Sequence, residues 1–470
     1  MAKIDYQKLE KQLSFEKRNC WEIWDEKETK KALDFSEDYK KFLNEAKTER
    51  EAVIFGVKLA EKNGYKNLGS YKKLKAGDKV YYVNKNKSLV LAVIGKKLLE
   101  NGFKIIMSHI DVPHLDLKVN PLYEDESIAF LKTHYYGGIK KYHWPTIALA
   151  LHGTVILANG KKIDIKIGEK ENDPIFMITD LLPHLAKQQS KKTLDEAIVG
   201  EELNIVVGSM PVKDEKVKAK VKLAVLKYLN DEYGMTAEDF FSADLQAAPE
   251  AKARDLGFDR SMVAAYGQDD RVCAWTSVSA MFESKLINET QICLWIDREE
   301  IGSEGTTGAQ SVFIENFIAD LIELTTGKST LRAVYQVFEK SSCLSSDVCA
   351  GLDPDYKNVH DLLNVAKLGY GVALEKHTGF RGKYGTSEAS PEFVQELRKI
   401  FNSNKIIWQT AGLGKVDEGG GGTIALHMAK RNMEVIDIGV PVFNMHAPME
   451  ITSKADIYSA YLAYKVFYKD

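Results

Sequence analysis

Four times along this chain a short, mostly apolar run breaks into side chains able to hold a metal ion. His109 and Asp111 follow Ile105–Met107, and Glu299 and Glu300 follow Gln291–Ile296. Asp347 comes after Ala333–Phe338 and a Ser/Cys stretch, and His446 after Val435–Val440. A further pair, Asp269 and Asp270 in YGQDDRV, stands directly before a helical pattern. Apolar runs alternating with amphipathic stretches read as buried strands of a largely parallel sheet. Ligands of such sheets bind beyond the carboxyl ends of the strands, so these side chains are expected on one rim.

The rest of the chain fills in that frame. Further strands are expected at Leu89–Ile94, Gly369–Leu374 and Lys405–Thr410. Helices are expected at Arg271–Phe282, Ser311–Thr325, Ser390–Asn402, Gly422–Lys430 and Ser453–Phe467. The alternation predicts an α/β fold, a mixed and mostly parallel sheet flanked by helices. Residues 1 to about 50 read as helix, with Phe15, Trp21, Trp24, Phe35, Tyr39 and Phe42 recurring along it. Between 119 and 250 the texture changes: β-like pieces (Thr146–Ala158, Asn204–Gly208) alternate with charge-dense stretches. One of these, KDEKVKAKVK at 213–222, reads as a solvated edge strand or hairpin. Residues 119–250 are therefore expected to form an inserted β-rich domain, with 1–118 and 251–470 making one catalytic domain.

Composition removes several classes of function. Sixty-four Lys and Arg against 67 Asp and Glu leave a net charge of −3, unlike a chain built to coat nucleic acid or an anionic membrane. The N-terminus alternates charge with no apolar stretch for a signal peptide, and no apolar run reaches the roughly 18 residues of a membrane span. Five cysteines, odd in number and without C-x-x-C spacing, suggest neither a disulfide framework nor a cysteine zinc site. The expectation is a soluble, cytoplasmic, multi-domain protein.

Each candidate side chain also has an ordinary explanation. An Asp pair before a helix is an N-cap, adjacent glutamates form a solvated turn, and an Asp in a Ser-rich loop is turn chemistry. Two histidines and four carboxylates, each set after a buried run, are harder to explain that way together. Zinc takes imidazole nitrogen and carboxylate oxygen and keeps a position open for water in catalytic sites. A two-metal hydrolase needs a bridging carboxylate, terminal ligands on each ion and a general base that is not a ligand. On an extended segment Glu299 and Glu300 would face opposite ways, one binding metal and the other facing the water. Asp111 is placed to accept the other ring N–H of His109. His114, Asp116, His360, His377 and His427 are also metal-capable, His114 standing beside the site. GSEGTTGAQ at 302–310 lacks the ending of a phosphate loop, and Gly419–Gly422 reads as a tight turn into a helix.

SHIDVPHLDLK, GQDDRV, DREEIGSEGTTGA, SSD, KYGTSEAS and NMHA together resemble the aspartyl aminopeptidase and vacuolar aminopeptidase I family of dinuclear zinc exopeptidases. The likeness covers nearly the whole chain, and six motifs in order make it specific. It implies a zinc exopeptidase-like catalytic domain interrupted by a dimerisation domain, assembled as a tetrahedral dodecamer of dimers. It implies two divalent ions per subunit, most often zinc, with cobalt or manganese as alternatives. Asp269 would bridge them, His109 and Asp347 would complete one site, and Glu300 and His446 the other. Glu299 would be the general base and Asp111 the orienter of His109. His184 in LLPHLA would reach a neighbouring subunit's site and donate to the developing oxyanion.

The chain departs from the family at Asp353-Pro354-Asp355-Tyr356, at Ala447 after the ligand histidine, and in the loop Arg381–Thr386. None of these is a ligand, but they leave acidic against neutral N-terminal preference open. Arg381, Lys383 and Tyr384 are the side chains expected to meet a substrate carboxylate. The activity expected is removal of one N-terminal residue from peptides. The alternatives are a deacylase or carboxypeptidase on the same centre, or a non-enzymatic assembly protein.

Overall fold

Leu89, Leu91 and Val93 bury on one side of the strand Ser88–Val93, and Val90 and Ala92 on the other. A strand apolar on both faces belongs inside a helix-covered sheet. In the computed structural model, which describes residues 5–283, 287–379, 381–412 and 414–469, this strand is the third of nine. The sheet runs in the order Lys66–Asn67, Lys79–Asn84, Ser88–Val93, Thr290–Ile296, Phe103–His109, Ser342–Ser345, Glu434–Gly439, Val372–Glu375, Trp408–Thr410. Its centre, from Thr290–Ile296 to Glu434–Gly439, is parallel, and antiparallel pairs flank it. One face is covered by the helices Glu26–Glu45, Glu49–Lys62, Gln268–Phe282, Pro391–Ser403 and Lys454–Lys469. Phe313–Thr326, Leu331–Glu339 and Ala425–Ala429 cover the other. The expected α/β architecture is therefore present.

Four local expectations need correction. Ala333–Phe338 is not a strand but lies in the helix Leu331–Glu339. Thr330 caps that helix by accepting the Ala333 N–H, and Val334, Val337 and Phe338 bury one face at helical spacing. The strand that leads to Asp347 is the shorter Ser342–Ser345. The N-terminal helical stretch is broken into Tyr6–Leu13, Cys20–Ile23 and Glu26–Glu45, because Asn19 and Asp25 each cap a new start. Lys213–Lys222 holds no strand: the Glu124 carboxylate accepts the N–H groups of Val221 and Lys222 at 2.9 and 2.8 Å and starts the helix Lys220–Tyr233. At the sheet edge the strand expected over Lys405–Thr410 is only Trp408–Thr410.

Residues 114–249 supply a second, seven-stranded sheet, antiparallel at every pairing. A third sheet of five short strands includes Met262–Ala265 and Glu450–Ser453. Buried charge fastens the second sheet to the N-terminal helices. Lys47 Nζ reaches Glu169 at 2.7 Å and the carbonyls of Pro249 and Glu250 at 2.6 and 2.8 Å. His152 lies between Glu51 at 2.9 Å and Glu169 at 3.0 Å. No helix among the described residues is long and apolar enough to cross a membrane.

Candidate metal centre

The parallel centre of the first sheet ends on one rim. His109 is the last residue of its strand, paired in register with Ile296. Glu299 and Glu300 follow that neighbour in a single 3-10 turn, Glu299–Ile301, rather than on an extended segment. Asp347 follows Ser342–Ser345, and His446 lies in the turn between Pro441–Phe443 and Glu450–Ser453. Asp269 and Asp270 stand at the start of the helix Gln268–Phe282, in non-helical backbone.

Asp269 is the hub. Its Oδ1 lies 3.2 Å from His109 Nε2 and its Oδ2 3.3 Å from His446 Nε2. Asp347 Oδ1 is 3.6 Å from His109 Nε2, and Glu300 Oε2 is 3.3 Å from His446 Nε2. The donor atoms fall into three close groups: His109, Glu299 and Glu300; His109, Asp270 and Asp347; and Asp269, Glu300 and His446. The expected ligands are thus brought together, with Asp270 added.

The donors themselves say what fits between them. His109 Nδ1 faces the Asp111 main-chain oxygen at 3.0 Å, nearer than the Asp111 carboxylate at 3.4 Å. His446 Nδ1 faces the Gly138 carbonyl at 2.8 Å. With Nδ1–H donating, each ring turns its Nε2 toward carboxylate oxygens, an arrangement that calls for positive charge there, either a bound cation or a proton on Nε2. Ligands about 2.0–2.1 Å from a tetrahedral zinc stand about 3.3–3.4 Å apart, close to the separations found here. Glu300 Oε1 is buried without a hydrogen-bond partner, as an oxygen reserved for a cation would be.

Crowded acids disturb one another's protons here. Burial, then the charge of Asp269, pushes the Glu300 carboxyl well above the usual range. Burial, with Asp347, Asp111 and Asp269 nearby, carries Glu299 up to about 8 against the opposing charge of His109. Burial alone would lower His446, yet its hydrogen bond to Asp269 and the charge of Glu300 raise it to about 10. Protons on these groups neutralise what divalent cations would otherwise neutralise.

Two supporting groups, Glu450 and Tyr136, are not singled out in the sequence, and a third, Asp270, is noted there only as the neighbour of Asp269. Asp270 Oδ2 accepts the His109 main-chain N–H at 3.3 Å. Glu450, fully buried, accepts the N–H of Gln268 at 2.7 Å and of Asp269 at 3.1 Å on one oxygen, and that of His446 at 2.9 Å on the other. Its position four residues after His446 was the available signal. Tyr136 donates its hydroxyl to Asp111 at 2.9 Å.

A cleft of about 670 Å³ opens over the cluster, walled by Thr378, the glycine run Gly420–Gly422 and His427. Beside it lies a basic cavity of about 1030 Å³ that includes Arg381, Lys383 and Arg398 and meets the cleft at Thr378. Arg381 and Lys383 therefore line the neighbouring cavity rather than the metal cleft, and Lys383 pairs with Glu388 at 3.1 Å. Tyr384 is exposed. His184 sits in an exposed turn of the second-sheet region and is not part of the cleft wall within one chain.

Residues 42–468 match the family described as aminopeptidase I zinc metalloprotease (M18). A probable M18 family aminopeptidase 1 of Clostridium acetobutylicum is 49% identical over 456 residues, covering 96% of this chain and 98% of that protein. The crystal structure of an M18 aminopeptidase from Thermotoga maritima superposes with a TM-score of 0.94 at 43% identity, over 97% of this chain and 100% of that one. The Saccharomyces cerevisiae mApe1 dodecamer shares the fold at 21% identity, with a TM-score of 0.72 over 93% of this chain and 95% of that one. The chain belongs to the M18 family of zinc aminopeptidases. It is a metal-dependent hydrolase.

Proposed function

We propose that this enzyme removes single N-terminal residues from peptides, with Glu299 moving the proton. The observation that carries the proposal is Asp269, whose two carboxylate oxygens each face the Nε2 of a different histidine. In this reading His109, Asp269 and Asp347 hold one divalent ion, and Asp269, Glu300 and His446 hold a second. Zinc is the expected metal, with cobalt or manganese able to replace it. When bound, such ions polarise a carbonyl oxygen and lower the pKa of water.

The residues supply the rest. Glu299 accepts a proton from the attacking water and returns it to the nitrogen of the leaving amine. Its main chain is held by Asp111 Oδ1, which accepts the Glu299 N–H at 3.1 Å. Asp111 also fixes the His109 ring. Arg381 and Lys383 line the basic cavity that meets the cleft at Thr378, and an acidic N-terminal residue reaching past Thr378 would meet them there, with Tyr384 close by in sequence.

The same reading makes residues 119–250 a dimerisation domain, with dimers assembling into a tetrahedral dodecamer. Leu181, Leu182 and Leu185 are exposed around His184, which supports a loop meant for another surface. There His184 would donate to the developing oxyanion of a partner's substrate. Five buried, unpaired cysteines support a cytoplasmic location.

The test is a rate panel on unblocked Asp-, Glu-, Leu-, Met- and Lys-peptide amides, run on chelator-treated protein and again after adding zinc, cobalt or manganese. Metal-restored cleavage is expected, and the ranking separates acidic from neutral preference. No cleavage with two ions demonstrably bound would overturn the proposal in favour of a deacylase or a non-enzymatic role.

A further inference from the structure

We propose that Tyr136-Gly137-Gly138, where the second sheet's strand Ile128–Tyr136 ends, is a strap that positions the metal centre from the inserted domain. The proposal rests on the ligand assignment above. Three consecutive residues touch three different parts of the site.

Tyr136 acts through Asp111. The Asp111 carboxylate accepts the N–H of Glu299 on Oδ1 and the N–H of Glu300 on Oδ2, each at 3.1 Å. The Tyr136 hydroxyl donates to Oδ2 at 2.9 Å. It is the donor of the three that comes from the second sheet. Its ring is stacked on His114, with centroids 4.5 Å apart and planes at 15°. His114 is itself pinned, Nδ1 to the Val112 carbonyl at 2.6 Å and Nε2 to Asp116 at 2.9 Å. One hydroxyl therefore sets the carboxylate that sets the backbone of the proposed base and of a ligand.

Gly137 and Gly138 act directly. Gly137 has φ +76°, and a Cβ there would stand 3.3 Å from Glu300 Cβ and 3.4 Å from Glu300 Oε2. A side chain would be strained in that backbone and would press on the ligand oxygen. The Gly138 carbonyl accepts His446 Nδ1–H at 2.8 Å, which aims Nε2 at Asp269 and Glu300. Partners of this kind orient metal ligands, and losing one typically costs about 10–100-fold in affinity or activity.

The experiment compares zinc retention under graded chelator competition in the full-length, metal-loaded protein. Tyr136→Phe keeps the ring and its stack and removes only the hydroxyl. It is expected to release zinc about tenfold more readily and to lower kcat with little change in KM. Gly137→Ala is expected to release zinc more readily still, and if it fails to fold, Tyr136→Phe decides alone. Arg50→Ala serves as the control. It removes the 2.7 Å bond from Arg50 to Asp244 that ties the helix Glu49–Lys62 to the second sheet, away from the strap. Zinc retention should be unchanged in it.

Wild-type zinc retention and kcat in Tyr136→Phe would overturn the proposal. So would an equal loss in Arg50→Ala, because general loosening of the inserted domain would then explain both. Asp269→Asn separates the two levels. If it holds zinc like the wild type, the ligand assignment itself has failed; if it loses zinc while Tyr136→Phe does not, only the strap has failed.

Discussion

Replacing Glu450 by Gln keeps the side chain's size and removes one acceptor. Glu450 Oε2 accepts two main-chain N–H groups, from Gln268 and Asp269, while Oε1 accepts the one from His446. A glutamine does best by keeping its oxygen on the pair, which turns its NH₂ toward the His446 N–H, donor against donor. The His446 N–H is left without an acceptor, which costs about 1–3 kcal/mol. At 1.4 kcal/mol per factor of ten that is about 5–150-fold. The loss falls on the joint between the segments carrying Asp269 and His446, so it should appear at the ion proposed for Asp269, Glu300 and His446. Zinc titrated out with a chelator should leave in two phases, one looser by that factor and the other near wild type. Two unchanged phases with only a lowered melting temperature would refute the reasoning. Glu450 would then be structural support, and main-chain placement of these ligands would not set affinity.

Other outcomes follow from the same geometry. Glu299→Gln should retain its metal and lose about 10²–10⁴-fold in kcat, the usual size of general-base catalysis; metal retention with near-normal turnover would exclude Glu299 as the base. Asp269→Asn should weaken both ions together, measured by metal content after dialysis. His184→Ala and Glu299→Gln should each be inactive alone yet regain activity when their subunits are dissociated and mixed, because a mixed dimer pairs one intact His184 with one intact Glu299; no recovery would argue against a shared site. Stability should fall as pH rises above about 6.5, the ordinary histidine value. Burial works against a charged His152, but its hydrogen bonds to Glu169 and Glu51 hold its pKa above that value in the folded state. Its contribution is thus complete at lower pH and is lost as pH climbs through the raised value. Melting curves across that range should show the slope in the wild type and less of it in His152→Gln.

What could be read from the sequence was what local pattern encodes. Ile105–Met107 and Gln291–Ile296 announced themselves because a strand buried on both faces must be apolar nearly throughout, and their polar ends fell where ligands should. Ala333–Phe338 misled because a six-residue apolar run has too few turns to separate a period of 2 from one of 3.6. The strand actually beside it, Ser342–Ser345, is short and half serine, so it gave no apolar signal. Lys213–Lys222 misled in the opposite way, since its helix start depends on Glu124, about a hundred residues earlier. What Asp270, Glu450 and Tyr136 do was invisible for the same reason. Each acts on a group that chain separation hides, such as the 161 residues between Asp270 and His109 or the 181 between Glu450 and Asp269.

The centre draws on residues far apart in the chain, from His109 to Glu450, with Tyr136 of the second sheet between them. A polypeptide still being synthesised therefore lacks a working site until Glu450 has left the ribosome. Proteolytic power waits for the turn that carries His446 and Glu450, so a copy made only as far as the second sheet cannot trim its neighbours or itself.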